Sequence, residues 1–212
     1  MMNQMLGNKI MKKLGLILFF FLSISLSGMT NEEIQDAYYK SYNYEKMENY
    51  VDAIKALLPV YKAYPEGYTA NLRLGWLYYL NKNYANSLEQ YENAIKISPY
   101  SIEAKLGHLL PLLAQDRYSQ VEKEAFQILN IDYYNYYANL RLVFALRMQK
   151  KYDNAESIVL KMLAIYPIDV SFLTEYALLK HFQEDIPAAV RVFNDILILD
   201  PENVTAKEYL MQ

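Results

Sequence analysis

From Tyr68 the chain reads YTANLRLGWLYYL, and apolar side chains at Leu72, Leu74, Trp76, Leu77, Tyr78 and Leu80 leave it almost no polar face. A helix apolar on several sides is one packed between neighbours. A polar pair, Lys82-Asn83, follows as a turn. The next stretch, Tyr84 to Ile97, spaces Leu88, Tyr91, Ala94 and Ile95 by three and four, the period of a one-sided amphipathic helix. Ser98-Pro99 then stops it, because proline lacks the amide and disfavours helix in the residue before it. The same order of polar turn, helix, polar turn, helix and proline recurs along the chain. Glu48-Asn49, Asp116-Arg117, Lys150-Lys151 and Glu184-Asp185 occupy the equivalent turn.

The recurrence has a fixed length. The word ANLRL appears at Ala70 and again at Ala138, 68 positions on, which is twice 34. Pro65, Pro99, Pro167 and Pro201 lie on one ladder of period 34, with Tyr133 at the middle rung. Tyr50, Tyr84, Tyr118 and Tyr152 form a second ladder that Ile186 completes. Ala53, Ser87, Val121, Ala155 and Ala189 form a third, of mostly small residues. Five units in register without insertion predict stacked helical hairpins, since one pair cannot bury its apolar faces alone. The repeated word is then a repeated packing environment.

These residues resemble the tetratricopeptide repeat. Unit two matches best, with Leu74-Gly75, Tyr78, Tyr84, Ser87, Tyr91, Ala94 and Pro99; unit four gives Leu142, Tyr152, Ala155 and Pro167, and unit five gives Ala177, Ala189, Phe193 and Pro201. The resemblance implies an all-α fold, a right-handed α-solenoid of five repeats at 34–67, 68–101, 102–135, 136–169 and 170–203, after a lead-in at 29–33. Residues 204–212 are expected to form a short capping helix, with Leu210 packing on unit five. Small residues at the eighth position of the first helix and at the crossing of the second let the two axes approach closely. Departures include Lys40-Ser41 in unit one, Leu109 at a small position and two prolines inside helices, Pro59 and Pro111. Pro111 faces the carbonyl of Gly107, which can yield, so a bend is expected there.

Residues 1–28 are of another kind. Lys9, Lys12 and Lys13 precede an apolar run from Leu14 to Leu22, and Ser25 and Ser27 suit a cleavage site: the build of a secretory signal peptide. The alternative is an uncleaved inner-membrane anchor at 14–28, although about 14 helical residues span roughly 21 Å against a hydrocarbon core of roughly 30 Å. Either reading places the repeats across a membrane, periplasmic or secreted. Without those lysines the remainder has 18 basic and 24 acidic residues, a net charge near −6. No basic cluster remains, which speaks against nucleic acid as a partner. The absence of cysteine excludes disulfides and thiolate chemistry.

Nothing in the chain suggests catalysis or a cofactor. There is no glycine-rich phosphate loop, and the only histidines, His108 and His181, lie in non-equivalent positions and read as packing or surface residues rather than metal ligands. The remaining candidate is the concave side, which the resemblance assigns to the first helices. Carried over, it comprises Tyr38, Leu72, Leu106, Leu140 and Thr174 at the fifth positions, and Tyr42, Trp76, Leu110, Phe144 and Leu178 at the ninth. Tyr79, Leu80, Met148 and Phe182 follow near the helix ends, with Arg73 and Arg141 standing at the edge to meet carboxylates. The Lys/Asn/Arg clamp with which family members hold a C-terminal carboxylate is missing. The expected function is a non-catalytic scaffold that holds a segment of another protein or peptide in this apolar groove. The alternative is a homo-oligomer in which the strip joins copies of the chain. Tyr133, Tyr134, Tyr136 and Tyr137 form an aromatic corner between units three and four, either packing or a second ligand site.

Overall fold

A computed structural model describes residues 28–211; the signal-like segment lies, apart from Gly28, outside the described residues. Among the described residues there are eleven helices and no strand. They are α1 (Asn31–Lys46), α2 (Tyr50–Ala63), α3 (Tyr68–Leu80), α4 (Tyr84–Ile97), α5 (Ile102–Leu113), α6 (Tyr118–Leu129), α7 (Tyr136–Met148), α8 (Tyr152–Leu163), α9 (Val170–Phe182), α10 (Ile186–Leu199) and α11 (Val204–Leu210). Each packs on the next, and α3, α5, α7 and α9 also pack in series. That arrangement is an α-solenoid: one layer of first helices and one of second helices. No described helix is long and apolar enough to cross a membrane.

The helix ends follow from local chemistry. Before Pro65, Pro99 and Pro201 the chain leaves the helix at Tyr64, Ser98 and Asp200, with φ between −131° and −138°. This is the extended backbone that a following proline demands. Asn and Asp side chains cap α2, α4, α7, α9, α10 and α11, and Ser101 caps α5. α1 starts inside the stretch expected as a lead-in. Thr30 accepts from the Glu33 amide at 3.2 Å while the Glu33 carboxylate accepts from the Thr30 amide at 2.7 Å, a reciprocal cap that nucleates the first turn.

The turns inside the hairpins hold a feature the sequence conceals. Glu48, Lys82, Asp116, Lys150 and Glu184 all have positive φ, between 56° and 65°, at the same period of 34. The next residue's amide bonds back five residues, as from Asn83 to the Tyr78 carbonyl at 2.9 Å, closing the helix end. Glycine is the usual residue there, and none of the five is glycine. A left-handed residue with a side chain is strained by roughly 1–2 kcal/mol, of which glycine's extra chain entropy returns a part. Lys82→Gly should therefore stabilise the fold by about 0.5–1 kcal/mol, read as a higher urea midpoint at unchanged slope.

The small ladder Ala53, Ser87, Val121, Ala155 and Ala189 is buried throughout, and Ser87 Oγ donates to the Gly75 carbonyl at 2.8 Å. The buried apolar side chains do not form one seam. They gather in three groups: one in α1–α3, one spanning α5–α9, and one in α9–α11. Tyr91 of α4, 3% exposed, belongs to none of them. α2 and α5 run on through Pro59 and Pro111. At the C-terminal end Leu210 packs on the last group, together with Tyr209, whose ring stacks on Phe193 at 5.0 Å and meets His181 edge-on at 4.8 Å.

Candidate functional site

Each copy of ANLRL divides its work by position. Ala70 and Ala138 are buried, and Leu74 and Leu142 enter the core. Asn71 and Asn139 brace the loop between repeats. Asn71 Nδ2 donates to the carbonyls of Pro65 (2.8 Å) and Gly67 (2.9 Å), and Asn139 Nδ2 to those of Tyr133 (3.1 Å) and Asn135 (2.8 Å). Leu72 and Leu140 face the concave side. The arginines reach back to the preceding first helix.

Both arginines line the clefts, and both also bond within the chain. Arg73 is buried, ion-paired with Glu45, 3.4 Å from Ser41 Oγ, and its guanidinium lies 3.8 Å over the Tyr42 ring. Arg141 Nη1 donates to the Leu106 carbonyl at 2.6 Å. First helices stand close enough that a long side chain finds its partner one repeat upstream. Both arginines are thus cross-braces of the solenoid before they are contacts for anything else.

Two clefts open along the first helices. The N-terminal one, about 520 Å³, is lined by Tyr38, Tyr42, Tyr68, Thr69, Leu72, Arg73, Trp76, Tyr91, Glu103, Gly107 and Leu110. The C-terminal one, about 610 Å³, is lined by Tyr79, Leu110, Leu113, Ala114, Leu140, Arg141, Phe144, Val170, Ser171, Thr174, Glu175, Asn203 and Thr205. Leu110 belongs to both, so they run into each other. Of the expected groove residues, Tyr38, Tyr42, Leu72, Arg73, Trp76, Tyr79, Leu110, Leu140, Arg141, Phe144 and Thr174 are brought together here. Leu80, Leu106, Met148, Leu178 and Phe182 line neither cleft. Leu178 is buried in the C-terminal core group, Leu106 packs against the central one, and Phe182 stacks on Tyr152 at 6.0 Å. Trp76 is half-committed as well, its Nε1 donating to Glu45 at 2.6 Å.

The least expected lining residue is Tyr91, from a second helix. Its ring passes between two glycines. A Cβ on Gly75 would lie 2.9 Å from the ring, and one on Gly107 only 2.2 Å from Cε1. Gly107, read from sequence as yielding to Pro111, leaves room for this ring. Burial pushes the Tyr91 hydroxyl above its ordinary pKa, partly offset by the Arg141 charge. Burial in turn lowers Arg141, while Tyr79, Tyr91 and Tyr137 oppose that shift. The signal was present in the sequence as two glycines on adjacent first helices, but only contact reveals what fills the gap. Asn203 and Thr205, at the start of α11, also enter the C-terminal cleft, which a frame confined to the first helices of the five repeats misses.

Within this groove the side chains offer binding chemistry: rings and leucines for apolar segments, with Thr174, Ser171, Asn203 and Glu175 at one end. Arg147 holds Glu175 in place through two bonds of 2.7 and 3.2 Å. His108 lies outside both clefts, buried against Glu124 with 2.6 Å between Nδ1 and Oε2. Among the described residues no group of three His, Cys, Asp or Glu side chains is placed to hold a metal.

Residues 40–102 match the family profile described as Tetratricopeptide repeat. No curated protein matches the sequence. Among solved structures, MamA from residue 41 to its end, from Desulfovibrio magneticus RS-1, superposes with a TM-score of 0.73 at 11% identity, over 83% of this chain and 99% of that one. YrrB, described as a TPR protein with an unusual peptide-binding site, gives 0.67 at 11% identity over 86% and 94%. TTC0263, a thermophilic TPR protein of Thermus thermophilus, gives 0.65 at 13% identity over 84% and 97%. At such identities the likeness is one of fold.

Proposed function

We propose that this chain, whose residues 40–102 match the tetratricopeptide repeat and whose period of 34 continues on both sides, is a non-catalytic scaffold that holds an apolar segment of another protein along its concave face. The observation that carries the reading is the pair of clefts joined at Leu110, lined by side chains from all five hairpins and from the start of α11. An open apolar surface of this length is costly to leave to water and is the usual mark of an interaction site. Rings and leucines dominate the lining and favour an extended or short helical apolar segment as ligand, with Arg141, bonded through one nitrogen only, beside them. The peptide-binding site announced for YrrB supports this kind of use for the fold. The signal-like composition of residues 1–28 supports a place in the cell envelope, and the mass of the mature N-terminus tests it.

Peptides selected from a random library against the purified solenoid supply the test. Phe144→Ala should weaken a selected peptide by about 2 kcal/mol, as removal of an anchor does. Tyr100→Ala, at a site 85% exposed and outside both clefts, should leave affinity unchanged. Trp76 fluorescence should shift on binding. Equal affinity for wild type and Phe144→Ala would refute the groove. A stable oligomer in light scattering that Phe144→Asp disperses would reassign the strip to self-assembly.

A further inference from the structure

The two edges of the solenoid differ in character. Each first helix ends at a turn inside its hairpin and each second helix runs back to a loop between repeats, so the turns gather along one edge and the loops along the other. The turns are polar: Asn81-Lys82-Asn83, Gln115-Asp116-Arg117, Gln149-Lys150-Lys151 and Gln183-Glu184-Asp185. The loops are built the other way round. In the three middle ones Ile97 and Tyr100, Ile131 and Tyr134, Ile165 and Ile168 recur at the period of 34 and are all exposed. Polar side chains of the same loops turn inward instead. Ser101 Oγ caps α5 and meets the Tyr68 hydroxyl at 2.7 Å, Asp132 accepts from Asn135 Nδ2 at 3.0 Å, and Asp169 accepts from the Tyr136 hydroxyl at 3.0 Å. Tyr133 stands edge-on to Tyr134, with the Lys161 ammonium 4.1 Å from its centre and bonded to Asn139 Oδ1 at 2.7 Å. An exposed apolar patch of this extent marks a contact surface.

The place where the described chain begins points to the occupant. It is this same edge: the Tyr64 hydroxyl, in the first loop, donates to the Met29 carbonyl at 3.1 Å, and Gly28 lies against that hydroxyl. First and second loops adjoin, with Pro65 and Glu66 sharing a cleft with Lys96 and Ile97. The apolar run Leu14 to Leu22 ends six residues before Gly28. Six residues reach at most about 22 Å. A first helix of 13 residues, such as α3, is itself about 20 Å long. A bilayer that holds the apolar run therefore meets the loop edge first, and the turn edge only if residues 23–27 are fully extended. We propose that the loop edge rests on a lipid bilayer in which residues 14–22 lodge, with the three Ile/Tyr and Ile/Ile pairs entering the headgroup boundary. This inference rests on the envelope placement and not on the concave groove. Tyrosine suits that depth, with an apolar ring and a wet hydroxyl. Lys62 and Lys96, exposed one repeat apart, can lay their stems along the apolar layer and keep their ammonium groups at the phosphates. Glu66 and Glu202, exposed in the first and last loops, mark the ends of the patch.

The chain has no cysteine, so a single introduced one carries a polarity-sensitive nitrobenzoxadiazole label without interference. The full-length chain is reconstituted with phosphatidylcholine vesicles. Labels at Tyr100→Cys, Tyr134→Cys and Ile168→Cys should shift to the blue and be quenched by nitroxide-bearing lipid. Labels at Lys82→Cys, Lys150→Cys and Glu184→Cys, on the turn edge, should do neither. Tyr100→Asp with Ile168→Asp, at sites 85% and 71% exposed where a charge leaves the fold intact, should remove the response at Tyr134→Cys while the chain still floats with the vesicles. A lipid-facing edge is refuted if the two edges respond alike, if no label responds, or if chain and vesicles separate on flotation. It is refuted too if the loop-edge labels shift without vesicles as protein concentration rises, since a second copy of the chain then covers them. None of the labelled positions lines a concave cleft, so none of these outcomes bears on peptide binding there.

Discussion

Gly107→Ala should destabilise the solenoid by about 2–3 kcal/mol, measured by urea unfolding, although alanine is the better helix former by about 1 kcal/mol. The opposite sign is expected wherever a helical glycine faces open space. Here the new Cβ would lie 2.2 Å from Tyr91 Cε1 and 2.5 Å from Cζ, so the ring or the helix must shift, and Gly75 already meets the ring on its other side. The double-mutant cycle settles the cause. In a Tyr91→Leu background the ring is gone, and Gly107→Ala should become neutral or stabilising. A cost that persists in that background would mean that Gly107 is needed for some reason other than the ring. The same ring reaches the N-terminal cleft, so loss of stability and a change of groove shape are expected together.

Glu175→Ala should cost about 3 kcal/mol, because it strips the partner from a charge that cannot return to water. Arg147 and Glu175 join α7 to α9 by two hydrogen bonds, and their side chains are only 10% and 12% exposed. Arg147 has no second carboxylate within salt-bridge distance among the described residues; its other neighbours are the Met148 sulfur at 3.8 Å and the Phe144 and Phe182 rings at 5.1 and 5.9 Å. Removing both charges is another matter. Arg147→Met with Glu175→Leu should recover most of the loss, since a paired buried charge adds little over a well-packed apolar pair. Equal damage from the single and the double variant would show that the site needs its charges for more than mutual neutralisation.

These two sites differ in how far the sequence exposes them. The helices and their period are legible because proline, the polar turn pairs and the apolar spacing act on the chain within a few residues. Leu72, Trp76, Leu110, Leu140 and Phe144 are placed on the concave side because the resemblance assigns that side to the first helices and a fixed helix length repeats the same position each time. The pairing of Arg73 is not legible. Whether it stands in water or beside Glu45 depends on the distance between two first helices, which no residue states. The five left-handed turn residues are hidden for a different reason. Their usual sign is glycine, and this chain accepts the strain with Glu, Lys and Asp instead. α1 shows the reverse: Thr30 and Glu33 spell a reciprocal cap in plain letters, and the repeat frame, starting at Ile34, passes over it.

Five hairpins of equal length, their ends and their apolar sides were settled by interactions among near neighbours in the chain, which is why a period of 34 can be counted without coordinates. The depth of the groove, the ring threaded between Gly75 and Gly107, and the division of the core into three groups come from how successive hairpins settle on one another. So does the unequal fate of two identical asparagines, one meeting an ammonium and the other meeting none. Packing is a relation between residues on different helices, a dozen or more positions apart, and identical words acquire different partners once their neighbours differ.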